Sequence, residues 1–215
     1  MYKLTEPPYL QIALDLVDEE EVKKIVGGFP SSKKILIEAG TPLIKACGIS
    51  IIRTLRKLAP ENVIVADMKT MDVGKLEVQL ALKGEANASA VAGAAPLETI
   101  KAVIREAHAQ GMYAVLDTIN VCDVVELLKK LEEKPDIVEL HRGIDEECTK
   151  ERSWEVVEKI KKLDKTILVA VAGGMTLESV PEALKHNVDI VVVGRGITAQ
   201  KEPAKEVEKF LKLLG

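Results

Sequence analysis

A carboxylate, an ammonium and a second carboxylate fall within six residues in Asp67-Met68-Lys69-Thr70-Met71-Asp72, directly after the apolar run Val63-Ile64-Val65-Ala66. Side chains alternate across a strand with a period of two, so Asp67 and Lys69 point to the same side. Asp72 lies three residues beyond Lys69, past the strand, where a helical pattern begins. Opposite charges close by favour the ionised form of each group. The spacing predicts an ammonium kept charged and aimed by Asp67 and Asp72. A plain salt bridge at a strand end is the simpler alternative.

Other residues of this kind recur at the ends of apolar runs. Eight strand-like runs are legible: Leu10–Leu16, Ile35–Ala39, Val63–Asp67, Ala88–Ala92, Met112–Thr118, Ile137–His141, Ile167–Ala172 and Ile190–Val193. Between and after them, apolar residues at three-and-four spacing predict helices. These cover Glu19–Val26, Ile49–Leu58, Val73–Gly84, Leu97–Gln110, Val121–Glu133, Ser153–Leu163, Leu177–Lys185 and Ala204–Leu214. Parallel strands need crossover helices, so the alternation predicts a parallel sheet with helices outside. Eight such units is the count that closes a barrel. The expected fold is an α/β, single-domain (β/α)8 TIM barrel spanning residues 1–215, with an open doubly wound sheet as the alternative.

Barrels of this type carry their chemistry at the C-terminal ends of the strands. Asp15, Glu38, Asp67, Lys69, Asp117 and His141 all fall there. Glu38 and Asp67, on neighbouring strands, make an oxygen-rich pair suited to Mg2+, which takes one or two carboxylates and keeps several waters. Capping of the following helices is the alternative role. Gly173-Gly174 and Gly194-Arg195-Gly196 end the last two runs, where barrels often bind phosphate; tight turns are the plainer reading. His141 is the one histidine at a strand end and is assigned proton transfer. His108 and His186 fall in helical stretches and are read as surface residues, Arg142 as pointing away from the rim, and Trp154 and the three cysteines as packing.

Composition excludes several classes. Hydrophobic residues at 47% and charged residues at 30% suit a globular chain with a real core. The net charge of −4, with no basic block, argues against nucleic acid as a partner. The apolar runs are too short to span a bilayer, and the N-terminus lacks a signal pattern. Cys47, Cys122 and Cys148 show neither metal nor disulfide spacing, which leads to the expectation of reduced thiols in a cytoplasmic protein.

The Asp67-x-Lys69-x-x-Asp72 pattern resembles the signature of the orotidine 5′-monophosphate decarboxylase superfamily, and the likeness extends over nearly the whole chain. Its supporting pieces are Leu14-Asp15-Leu16, Glu38-Ala39-Gly40-Thr41-Pro42, Asp117-Thr118-Ile119-Asn120-Val121, His141, Ala172-Gly173-Gly174 and Gly196-Ile197-Thr198. Together they are most similar to the 3-hexulose-6-phosphate synthase branch. The 3-keto-L-gulonate-6-phosphate decarboxylase branch carries Glu, Arg and Thr where this chain has Asp117, Ile144 and Ala172. Arg195 and Arg142 depart from the synthase pattern and keep decarboxylation open as a second activity. A non-catalytic sugar-phosphate binding barrel is a third reading.

The resemblance implies an aldehyde-lyase joining formaldehyde to D-ribulose 5-phosphate, and the reverse, through an enediolate. It implies Mg2+ on Glu38 and Asp67, and Lys69, charged by Asp67 and Asp72, donating to the enediolate oxygens. His141 would remove the C1 proton, while Asp15 and Asp117 would orient hydroxyls or the lysine. Gly173, Gly174, Gly194 and Arg195 would hold the phosphate. A homodimer with shared sites is implied, Asp72 serving the neighbouring chain.

Overall fold

The computed structural model describes residues 3–143 and 154–215. Eight parallel strands close into a barrel in chain order. They are β1 (Tyr9–Leu14), β2 (Ile35–Ala39), β3 (Val63–Thr70), β4 (Ala88–Ala92), β5 (Tyr113–Asp117), β6 (Ile137–His141), β7 (Leu168–Ala172) and β8 (Ile190–Val193). Closure is made by β1 against β8, with Leu10 opposite Val191.

Around the barrel run α1 (Glu19–Val26), α2 (Thr41–Cys47), α3 (Ser50–Leu58), α4 (Gly74–Lys83), α5 (Leu97–Ala109), α6 (Val124–Lys129), α7 (Glu155–Leu163), α8 (Val180–Lys185), α9 (Arg195–Thr198) and α10 (Pro203–Leu214). The period-two alternation of each strand sorts the core into two shells. Leu10, Ile12, Ile37, Ile64, Leu116, Val138 and Val191 face the helices. Tyr9, Ala13, Leu36, Val65, Val115, Ala170 and Val192 fill the barrel interior.

The sequence reading differs from the structure where elements are short or locally irregular. Helices α2 and α9 were not expected; each is too short to display an apolar stripe, and α2 starts on Thr41-Pro42. Helix α8 begins at Val180 rather than Leu177, because Ser179 Oγ holds Thr176 in a hydroxyl-backbone turn and Pro181 follows. Helix α6 runs from its Asp123 cap only to Lys129, where Lys134 Nζ takes over the carbonyls of Leu128 and Leu131. The expected start of α7 at Ser153, and Cys148 and Ile144, lie outside the described residues. Cys122 is exposed, contrary to its assignment to packing. Trp154 does pack, stacked on His186 with ring centroids 5.2 Å apart.

The N-terminal end of the barrel is closed by a device repeated three times. Asn87, Asp136 and Asp189 each immediately precede an even-numbered strand. Each side chain accepts the N–H of the second residue of the preceding strand: Ile64 at 2.9 Å, Ala114 at 2.8 Å and Val169 at 2.6 Å. Arg56, His108 and Lys161 respectively contact the same three oxygens. Polar residues at this end of a barrel serve stability rather than chemistry. Replacing Asp189 by alanine leaves the buried Val169 N–H unpaired, and such an orphan costs about 1–3 kcal/mol. The Tm of Asp189→Ala should therefore fall by several degrees in a thermal melt while the rim chemistry is kept.

Candidate active site

The C-terminal end of β3 is irregular, and that irregularity aims the lysine. The β3–β4 register shifts between Ala66 and Thr70, and Lys69 has φ 43°. A bulge of this kind bends a strand and redirects a side chain. Lys69 Nζ lies 2.6 Å from Asp67 Oδ2 and 2.8 Å from Asp117 Oδ2. Within one chain the expected grip of two carboxylates is present, with Asp117 as the second rather than the chain's own Asp72. Asp72 is exposed and its Oδ1 accepts the N–H of Val73, because the chain has left the rim by that point. Burial alone would lower the lysine pKa, but the charges of Asp67 and Asp117 outweigh it and hold the group protonated.

Asp117 is the centre of the arrangement. Its Oδ2 takes Lys69 and also His141 Nδ1 at 2.9 Å, while Oδ1 accepts the Ile119 N–H at 2.8 Å. Burial would raise its pKa; the hydrogen bond from His141 and the Lys69 charge overcome this and bring it to about 2. An ionised carboxylate only accepts, so Nδ1 of His141 carries a hydrogen, and in the neutral imidazole the lone pair is then on Nε2. Nε2 has no hydrogen-bond partner among the described residues.

Asp67 is held from β2's side. Thr41 Oγ1 lies 2.7 Å from Asp67 O and 2.8 Å from Oδ2, and the Thr41 N–H reaches Oδ2 at 3.3 Å. Glu38 is buried, and its Oε2 accepts from Gln11 Nε2 at 2.6 Å. Asp15 sits at the mouth between two glycines: a Cβ at Gly40 would meet its Oδ1 at 2.2 Å, and one at Gly194 would lie 3.7 Å from its Oδ2.

Gly173 and Gly174 have φ of 90° and 64°, and a Cβ on Gly173 would lie 2.0 Å from the Arg142 carbonyl oxygen, so only glycine fits there. Gly194 leads into α9, which begins with Arg195. The Arg195 charge is felt by Asp15.

The site also contains residues the sequence reading passed over. Glu139 is buried in the interior, and Gln11 lies beside it. Alternation in Ile137-Val138-Glu139-Leu140-His141 puts Glu139 on the face of His141, a signal that was available. Asp15, Glu38, Asp67, Asp117 and Glu139 thus crowd together with Lys69 as the ammonium among them. Glu38 is pushed from its ordinary 4.5 up to about 8, first by burial and then by Asp67 and Asp15. Glu139 is raised well above its usual range by burial, Glu38 and Asp117.

This excess of carboxyls fits a divalent cation. Two donor sets can be considered among the described residues, the expected pair Glu38 and Asp67 and a second group. Asp117, Glu139 and His141 bring ligand atoms within 4.8 Å of one another. The Asp117 oxygens, however, already carry an ammonium, an imidazole N–H and a backbone N–H. Glu38 Oε1 and Asp67 Oδ1 accept no hydrogen bond among the described residues.

A stability signature follows. A carboxyl whose folded pKa is raised keeps its proton in the fold while the unfolded chain has lost it, so stability falls as pH rises between the two values. For Glu38 that window is 4.5 to about 8. The Tm of cation-free protein should therefore drop across this range, and Glu38→Gln should flatten the decline. A divalent cation held by this carboxyl would raise Tm more at about pH 8.5 than at about pH 5, since a cation binds the ionised form. Thermal melts with and without EDTA measure all three.

The closed parallel sheet with its surrounding helices defines the class of (β/α)8-barrel proteins, which carry their sites at the rim where these ionisable groups gather. The chain belongs to the orotidine 5′-phosphate decarboxylase / HUMPS family, whose model matches residues 8–210. It is 46% identical over 212 residues to a bifunctional enzyme Fae/Hps of Methanothrix thermoacetophila, covering 99% of this chain and 54% of that protein. The chain thus spans about half the length of the curated relatives it matches. The 3-hexulose-6-phosphate synthase of Salmonella typhimurium superposes with a TM-score of 0.87 at 30% identity, over 95% of this chain and 97% of that one. The 3-keto-L-gulonate-6-phosphate decarboxylase of Vibrio cholerae shares the fold, with a TM-score of 0.79 at 22% identity over 97% of each chain. No helix among the described residues is long and apolar enough to cross a membrane.

Proposed function

We propose that this chain is an aldehyde-lyase of the 3-hexulose-6-phosphate synthase type. It would condense formaldehyde with D-ribulose 5-phosphate to D-arabino-3-hexulose 6-phosphate and catalyse the reverse. The observation that carries the reading is one carboxylate, Asp117, holding both the charged Lys69 and the Nδ1 side of His141. That geometry offers a base and a cationic hydrogen-bond donor side by side, as proton abstraction next to a ketone requires.

Gly173, Gly174, Gly194 and Arg195 bind the phosphate, fixing C1 of the sugar near His141. His141 Nε2 takes a proton from C1, and the electron pair moves to the C2 oxygen. Lys69 donates to that oxygen. C1 then bonds to the carbon of formaldehyde, and the imidazolium returns its proton to the formaldehyde oxygen. Asp15 orients the substrate hydroxyls, and Asp117 keeps the imidazole in its working tautomer. Mg2+ is assigned to Glu38 and Asp67, whose open oxygens suit it, and when bound it supplies Lewis-acid stabilisation of substrate oxygens.

Arg195 supports the second reading, decarboxylation of 3-keto-L-gulonate 6-phosphate by the same enediolate chemistry. The lower identity to that enzyme, 22% against 30%, and Asp117 at the end of β5 favour the lyase. The assay supplies purified protein, Mg2+, ribulose 5-phosphate and formaldehyde, and follows loss of formaldehyde with an EDTA control. Consumption abolished by EDTA supports the lyase. CO2 release from 3-keto-L-gulonate 6-phosphate without formaldehyde consumption would replace it with the decarboxylase, and binding without turnover would leave a ligand-binding barrel.

A homodimer with shared sites belongs to this reading. Met71, Val73 and Leu76 expose 50%, 55% and 55% of their surfaces beside Asp72, an apolar surface unusual next to a charged loop. Asp72 would then complete the partner's site. Mixing inactive Asp72→Ala and Lys69→Ala proteins should recover activity in the mixed dimer, in which one of the two sites is intact. No recovery would count against sharing. A cytoplasmic setting, with Cys47 and Cys122 as free thiols, completes the proposal.

A further inference from the structure

Where the rim gives way to the apolar interior of the barrel, three buried polar side chains meet. Gln11, Glu38 and Glu139 are 1%, 5% and 7% exposed. Their neighbours on the inward face include Tyr9, Ala13, Leu36, Val65, Val115 and Ala170. Gln11 Nε2 donates to Glu38 Oε2 at 2.6 Å and to Glu139 Oε2 at 3.3 Å. The other oxygen of Glu139, Oε1, lies 3.7 Å from His141 Nδ1. One amide on β1 therefore joins a carboxyl on β2 to a carboxyl on β6, and the second of these reaches the proposed base.

Burying an amide and two carboxyls costs free energy that apolar side chains of similar size would not incur. The barrel would close on Leu or Met at these places as it does on Leu36 and Val65. The cost is offset only if the group does something the apolar version would not. Its geometry identifies what that is. Glu38 has three side-chain torsions, and the hydrogen bond from Gln11 fixes Oε2, leaving Oε1 as the oxygen that points elsewhere. Gln11 is in turn fixed by its second acceptor, Glu139.

We propose that Gln11 and Glu139 are positioning residues that hold the Glu38 carboxyl in place to receive the divalent cation. The inference rests on the reading of Glu38 as a cation ligand. Residues that orient a ligand from behind typically change metal affinity by about 10- to 100-fold when removed.

The test uses the full chain and Mn2+ as a paramagnetic probe, free ion being counted by electron paramagnetic resonance in the absence of substrate. Gln11→Leu and Glu139→Leu should each raise the Mn2+ Kd by about 10- to 100-fold. Glu139→Gln, which keeps an acceptor for the Gln11 amide, should stay close to the unsubstituted protein. In turnover, the Leu variants should lose kcat at fixed Mg2+ and recover it at high Mg2+, with KM for the sugar phosphate unmoved. A general loosening of the barrel would shift KM and would not respond to cation.

Unchanged Mn2+ affinity in a folded Gln11→Leu protein overturns the inference. So does an equal loss in Glu139→Gln and Glu139→Leu, a comparison that stands even if Gln11→Leu fails to fold. Glu38→Ala separates this inference from the one beneath it. If Glu38→Ala binds Mn2+ normally, the ligand assignment itself is wrong. If Glu38→Ala loses Mn2+ and both Leu variants keep it, only the positioning role falls.

Discussion

Lys69→Met should lower kcat by about 10²–10³-fold, the usual loss when a preorganised donor to a developing oxyanion is removed. The side chain is nearly isosteric, so the barrel stays filled while the charge disappears. The loss belongs in kcat more than in KM, because full negative charge exists on the C2 oxygen only after C1 is deprotonated. Lys69→Arg does not rescue. The ammonium occupies a gap set by two oxygens at 2.6 and 2.8 Å, and a planar guanidinium presents its donors in a wider fork. Steady-state kinetics with ribulose 5-phosphate and formaldehyde measure both variants. A Lys69→Met enzyme within tenfold of the parent would remove the ammonium from the chemistry.

His141→Asn removes the proposed base and should lower kcat by about 10²–10⁴-fold, the span covered by general-base catalysis. A second readout isolates the step: the parent protein, given ribulose 5-phosphate in D2O without formaldehyde, should incorporate deuterium at C1. His141→Asn should abolish that exchange. If exchange persists while condensation stops, His141 acts after proton abstraction and the base is another group. Asparagine can still offer a donor towards Asp117, so loss in this variant is assigned to the missing lone pair at Nε2 rather than to collapse around the carboxylate.

Both predictions converge on Asp117. It is almost fully buried, ionised and bonded on both oxygens, and it fixes the charge of one neighbour and the ring tautomer of the other. It lowers the cost of charge on Lys69 and decides which nitrogen of His141 is free. One carboxylate serving as counter-ion and as tautomer lock explains how a lysine and a histidine so close together keep different roles.

Much of this was legible without coordinates. Strand alternation and strand ends are properties of successive residues, so Asp15, Glu38, Asp67, Lys69, Asp117 and His141 could be assigned to one rim from the run boundaries alone. The count of eight alternating units carried the barrel, and the Asp67-x-Lys69-x-x-Asp72 pattern carried the family. Glu139 was legible by the same alternation and was passed over because it sits inside an apolar run rather than at its end.

What the chain could not reveal locally depends on closure. Within the chain, the second carboxylate on Lys69 comes from β5, two strands along the barrel, rather than from Asp72 three residues away. No periodicity expresses that distance, and the β3 bulge that redirects the lysine leaves no residue pattern of its own. The Gln11 link between Glu38 and Glu139, and the Asn87, Asp136 and Asp189 staples at the opposite end, exist only once separate strands lie side by side. Sequence determines which face a side chain occupies, because that follows from backbone geometry over a few residues. Tertiary structure decides which charges meet, because electrostatic partners are chosen by proximity in space after the sheet has closed.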